Sequence, residues 1–311
     1  MIIYRKDEEW WKAIWYFHTG KTARSLLKAV AIVTLYVTII AITELRFYDL
    51  KLKYTPTEFL QAMGILLSLL LIFRTNTAYD RFYEGRRSWG ELVNASRNLA
   101  ALLNAILPAE NRNDRLFFAK TISNFPFALK NHLRGERNME EIDEAEEGEK
   151  RDLRHFEHLP GGVVNQLRVR LETLYREGLI TDANSININQ LVNTLLDVSG
   201  ICERIKNTPI PFSYSFFVKL FIMIYIIFLP FTIIEEFGYL TIPAVAVTSY
   251  VLIGLEMIGE EIEDPFGLER NNLPLQQLSQ LIRVNVHELL QIQLPTEEKQ
   301  AAKTDNFVVI M

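Results

Sequence analysis

The apolar residues of this chain gather in four blocks, at about residues 22–45, 56–73, 216–234 and 237–258. Hydrophobic residues make up 49% of the 311 and charged residues 23%, much as in a soluble protein, so the signal lies in their distribution. A helix needs ~20 apolar residues to cross a bilayer, and only the fourth block has an uncharged run near that length. The others span only if Lys28, Glu58, Arg74 and Lys219 snorkel or face water. Shortfalls of that kind suit helices that touch protein or water along part of their length.

Basic residues orient the blocks. Lys12, Lys21, Arg24 and Lys28 precede the first, and Arg74, Arg81, Arg86 and Arg87 follow the second. The connection between the third and fourth carries Glu235 and Glu236 but no Lys or Arg. The positive-inside rule then puts both termini and the long middle in the cytoplasm of a multi-pass protein of the cell inner (plasma) membrane. Five parts follow: an interfacial segment at 1–21, two transmembrane helices at 22–75, a cytoplasmic helical region at 76–210, two more transmembrane helices at 211–260, and a cytoplasmic helix and tail at 261–311. Trp10, Trp11 and Trp15 among charges favour a membrane interface for the first part. The middle repeats its apolar residues at helical spacing, except for an acidic stretch at about 135–152 that reads as a mobile, solvated excursion. No strand-period pattern of useful length competes, so the fold class is an all-α membrane protein.

Several functions are disfavoured. A net charge of −5, without RNP motifs or a basic stripe, argues against nucleic acid. One cysteine, Cys202, rules out an intrachain disulfide and a multi-cysteine metal site. There is no GxGxxG, Walker lysine loop or GxSxG, so the expectation is a non-enzyme without cofactors. His155 and His158 lack a further ligand nearby in sequence and read as a solvated pair. Glu260, Glu261, Glu263 and Asp264 read as a solvated helix end, since their spacing is not that of an EF-hand.

The second block holds a pattern of its own. Ile65, Leu69 and Phe73 fall at i, i+4 and i+8 on one helix face, which periodicity alone assigns to packing or lipid. Gly64 and Ser68 among them permit close helix approach. After Phe73 the sequence turns polar with no breaker before Gly85, so the helix is expected to leave the membrane intact.

The run FRTNTAYDRFYEGRRSWGELVNASRNLA at 73–100 resembles the signature of the prokaryotic branch of the bestrophin family. CERIKNTPIPFSYSF at 202–216 and EDPFGLERNNLPL at 263–275 agree with it in order and position. The resemblance implies four membrane helices per subunit, a large cytoplasmic helical part and a homopentamer around one central pore, with membrane lipid and permeant inorganic ions as its other partners. It implies a passive channel for chloride and other anions, with a sodium-selective channel of the same fold or a non-conducting membrane scaffold as alternatives. By position, the pore neck falls on Ile65, Leu69 and Phe73, and the cytoplasmic aperture on Ile205, with Ile210 fitting nearly as well. The acidic cluster that animal members carry after PFG is missing, since Glu269 is the only acid in LERNNLPL; no calcium clasp is expected.

Overall fold

A computed structural model describes residues 2–3, 20–46, 57–144, 148–295 and 308–309. Nine helices are present among them: α1 (Lys21–Arg46), α2 (Thr57–Ile106), α3 (Arg112–Arg134), α4 (Glu149–Leu153), α5 (Leu159–Arg176), α6 (Asp182–Asn207), α7 (Phe212–Phe237), α8 (Thr241–Glu263) and α9 (Leu275–Leu289). A two-residue parallel ladder between Ile2–Ile3 and Val308–Val309 is the only strand pairing among the described residues. The tryptophan segment expected at the membrane interface and the tail after Pro295, apart from that ladder, lie outside the described residues.

Each apolar block falls within one helix or nearly so, and the second runs far beyond its block. Helices long and apolar enough to cross a membrane are Lys21–Arg46, Thr57–Ile106 and the stretch Phe212–Glu263, with mean hydropathies of 2.2, 1.5 and 2.5. The last is interrupted by a 3₁₀ turn at Gly238–Leu240 that separates α7 from α8. Gly238 sits at φ +52°, a left-handed conformation that a side chain would strain. At this end α1, α7, α8 and the first half of α2 pack side by side. Small residues set the spacing: a Cβ on Gly254 would lie 3.3 Å from Leu26, and one on Gly64 would lie 3.1 Å from the Tyr225 hydroxyl.

α2 does not stop at the end of its apolar stretch. It runs 50 residues through Gly85 and Gly90 into a second, polar-surfaced body formed with α3, α5, α6 and α9. There Trp89, Leu92, Leu99 and Leu103 of α2 join Phe118, Ile122 and Phe125 of α3, Leu167 of α5, Leu195 of α6 and Ile282 of α9 in one continuous core. Local signals fix the ends. Asn111 caps α3, Thr181 caps α6, and Gly135 in the left-handed region closes α3.

The acidic stretch departs from the expected solvated excursion. Ile142 is fully buried in the core, and Glu141 receives the Lys130 ammonium of α3. Asn124 and the backbone at Asp143 exchange two hydrogen bonds. Ile142, the partly buried Met139 and a few polar partners, among them the Asp143–Arg283 ion pair to α9, thus hold residues 135–144 against the body.

Candidate functional site

On α2, Leu60, Leu67, Leu71, Arg74, Ala78, Gly85 and Ser88 are buried. On the opposite side, residues 58, 62, 65, 69, 73, 76, 80, 83, 87, 91, 94 and 98 are all exposed. These positions recur every three or four residues, so they form one unbroken stripe along both halves of the helix. Ile65, Leu69 and Phe73 occupy its apolar part at 74%, 48% and 56% exposure. Beyond them the stripe becomes polar with Asn76, Asp80, Tyr83 and Arg87.

Three anchors fix which way this stripe faces. Arg74, one residue after Phe73, neither snorkels nor reaches water. Its guanidinium is buried, donates to the Ser215 hydroxyl of α7, and lies 3.6 Å from Glu256 and 3.4 Å from Glu263 of α8. Glu256 also faces Lys219 of α7 at 3.5 Å; Lys219 stays half-exposed, so it is Arg74 whose charge, expected to snorkel or face water, is instead paired inside the subunit. Two turns later Arg81 donates to three carbonyls: Glu263 at the end of α8, and Ile205 and Thr208 at the end of α6. One turn beyond, the Pro265–Phe266 turn lies on Gly85, where a Cβ would stand 3.2 Å from both rings. The three motifs separated in sequence therefore meet at one place: the first supplies arginines and a glycine, the second carbonyls and Ser215, and the third Glu263 and Phe266.

Ile205 does not suit an aperture. It is 3% exposed and belongs to the subunit's own core, so no pore-facing surface remains to it. Ile210 is half-buried, with its backbone N–H donated to Glu263. Cys202 is buried one turn earlier, and that burial, helped by Glu203 and Glu84, pushes its thiol up to about 12.

The acidic residues at the end of α8 are bonded where the sequence suggested solvation. Glu261 accepts from Thr22 and Asn271, Glu263 faces Arg74, and Glu260 accepts from Lys219; Asp264 is exposed, and its carboxylate accepts the Phe266 N–H. His155 is exposed as expected, but His158 is not paired with it. It faces His132 and Glu203, which are 26 and 45 residues away in sequence. Reading along the chain missed these partners and the paired roles of Arg74 and Glu256. Two ionisable residues within apolar helices were a usable signal for that second pairing.

These features define a helical membrane protein whose subunits leave a long helix face uncovered. Residues 1–288 match the family described as bacterial/fungal bestrophin protein, and the chain belongs to that family. A voltage-dependent anion channel-forming protein of Nostoc sp. is 34% identical over 250 residues, covering 79% of this chain and 81% of that one. A protein of the same description from Synechocystis sp. is 36% identical over 233 residues, covering 74% and 76%. Among solved structures, a bacterial bestrophin homologue from Klebsiella pneumoniae superposes with a TM-score of 0.81 at 25% identity, covering 86% of this chain and 99% of that chain.

Proposed function

We propose that this chain is the subunit of a bestrophin-type anion channel, a homopentamer whose pore is lined by the exposed stripe of α2. The observation that carries the reading is the continuity of that stripe, which passes from apolar to polar without a buried residue. A helix exposed along one face through both halves of a subunit is completed when copies of it surround an axis. Four helices, α1, the first half of α2, α7 and α8, cross the inner membrane, with the body and both termini in the cytoplasm.

Ile65, Leu69 and Phe73 form the neck, ~12 Å long at the helical rise. Rings of these side chains offer an ion no ligand, so a narrow tube dewets and small changes in width switch conduction. Phe73 presents ring edges of weakly positive potential, which favours chloride. A second reading, cation selectivity, draws on the same stripe. Outside the neck it carries Glu58, Asp80 and Glu91 against a single Arg87, a balance that concentrates cations.

Planar-bilayer recording of the purified protein in asymmetric NaCl separates the readings. A reversal potential near that of chloride is the expected result, and one near that of sodium replaces anion by cation conduction. Leu69→Ala and Phe73→Ala should each raise the current by widening the neck; unchanged conductance in both removes the neck assignment. Absence of unitary current in the wild type and in Phe73→Ala leaves a non-conducting scaffold.

A further inference from the structure

Among the described residues, His132, His158 and Glu203 form the one cluster of three side chains able to hold a metal ion. His132 lies in the last turn of α3, His158 is the N-cap of α5, and Glu203 stands near the end of α6. Both rings aim Nε2 at one oxygen of Glu203, His158 at 2.6 Å and His132 at 3.3 Å. The rings meet edge to face with centroids 4.8 Å apart, and the candidate ligand atoms lie within 4.8 Å of one another. The geometry points to a divalent-metal site of the zinc class, with His132 Nε2, His158 Nε2 and Glu203 Oε1 as ligands and water in the fourth position.

Two imidazoles and a carboxylate are a donor set that zinc takes, and three protein ligands leave one position open. Zinc bonds of about 2.0–2.2 Å place neighbouring tetrahedral ligands roughly 3.4 Å apart. The His132–Glu203 separation of 3.3 Å already suits this, and His158 needs to withdraw by under ~1 Å. A cleft of about 280 Å³ opens beside His132, lined also by Glu136, Arg137 and Glu157.

His158 has a second occupation. Its Nδ1 accepts the Gly161 N–H as the α5 cap, so without metal the ring proton is on Nε2 and is donated to Glu203. A metal at Nε2 sends that proton to Nδ1, where it faces the Gly161 N–H, and the cap is lost. A lost cap is worth roughly a two- to thirtyfold factor. Glu203 precedes Arg204, which pairs with Glu84 of α2, and Ile205, whose carbonyl holds Arg81. An occupied site therefore ties α3 and α5 to the end of α6 that anchors α2.

The test uses the full chain in detergent, stripped with a chelator and titrated with Zn²⁺ alone, with Co²⁺ absorption as the report of four-coordination. One saturable site per subunit is expected, with ligand-field bands of tetrahedral cobalt. His132→Ala and Glu203→Gln should weaken binding by more than the roughly 10–100-fold that loss of an outer partner costs. His158→Asn keeps a capping side chain but removes Nε2; it should weaken zinc equally. No stoichiometric zinc in the wild type, or wild-type affinity in His132→Ala or His158→Asn, overturns the site.

Discussion

The membrane end and the polar body of this subunit are both helical, yet they spend their apolar residues differently. In the body, large side chains such as Trp89, Phe118, Phe125 and Phe127 are almost wholly enclosed by their own chain. In the apolar helices only 17%, 22% and 33% of the most apolar stretch is buried, with Ile32 at 70% and Ile65 at 74% exposure. What little the membrane end buries is held by close small-residue contacts and by the Arg74–Glu256–Glu263–Lys219 ion network. The body is thus stabilised by water-driven burial within one chain, whereas within the subunit the membrane end relies more on close small-residue packing and electrostatic pairing.

Mutations can break this contrast. The largest effect is expected from Arg74→Ala, which strands buried carboxylates and should cost about 3–5 kcal/mol. Loss of thermal stability in detergent measures it, and Arg74→Met with Glu256→Leu should recover part; an unchanged melt for Arg74→Ala contradicts the network. Phe118→Ala in the body should cost about 3–5 kcal/mol through its cavity. Leu69→Ala on the exposed stripe, in contrast, should leave subunit folding nearly intact, so comparable melting losses in the two would erase the distinction. Gly85→Ala pushes a methyl against the Phe266 ring and should cost ~1–3 kcal/mol, visible as a lowered melt.

Acid gives a smaller effect, confined to the body. Burial works to raise the Glu141 carboxyl, but hydrogen bonds from Lys130 and Asn131 outweigh it and hold the group below its ordinary range. The contribution of Glu141 is therefore full above the usual carboxylate pKa and is lost as pH falls through the lower folded value. Lys130→Met should flatten that part of the stability–pH curve; an unaltered curve would exclude the pair as its source. The least change is expected at Cys202, whose raised thiol should resist maleimide at pH 8 in folded protein and react once unfolded.

Sequence periodicity sufficed for features repeated along one helix. The apolar blocks located α1, α7 and α8, and the missing breaker after Phe73 foretold the continuation of α2 beyond its apolar stretch. Contacts between helices were harder. His132, His158 and Glu203 sit on three helices, so no local spacing betrays their meeting. Ile142 is one apolar residue in an acidic stretch, too little for a pattern yet enough for an anchor. The aperture assignment to Ile205 overlooked a legible signal, because Ile205 continues the buried series Ile188, Val192, Leu195, Val198 and Cys202 at helical spacing.

The unbroken length of α2 has a mechanical consequence. A helix of 50 residues is a rod of about 75 Å, and the Phe266 turn presses on it at Gly85. From that pivot to Ile65 is roughly 30 Å along the axis, so a tilt of about 3° displaces the Ile65 side chain by ~1.6 Å. A tilt of α2 about Gly85 too small to disturb the core of the polar body would therefore shift Ile65 by more than an ångström.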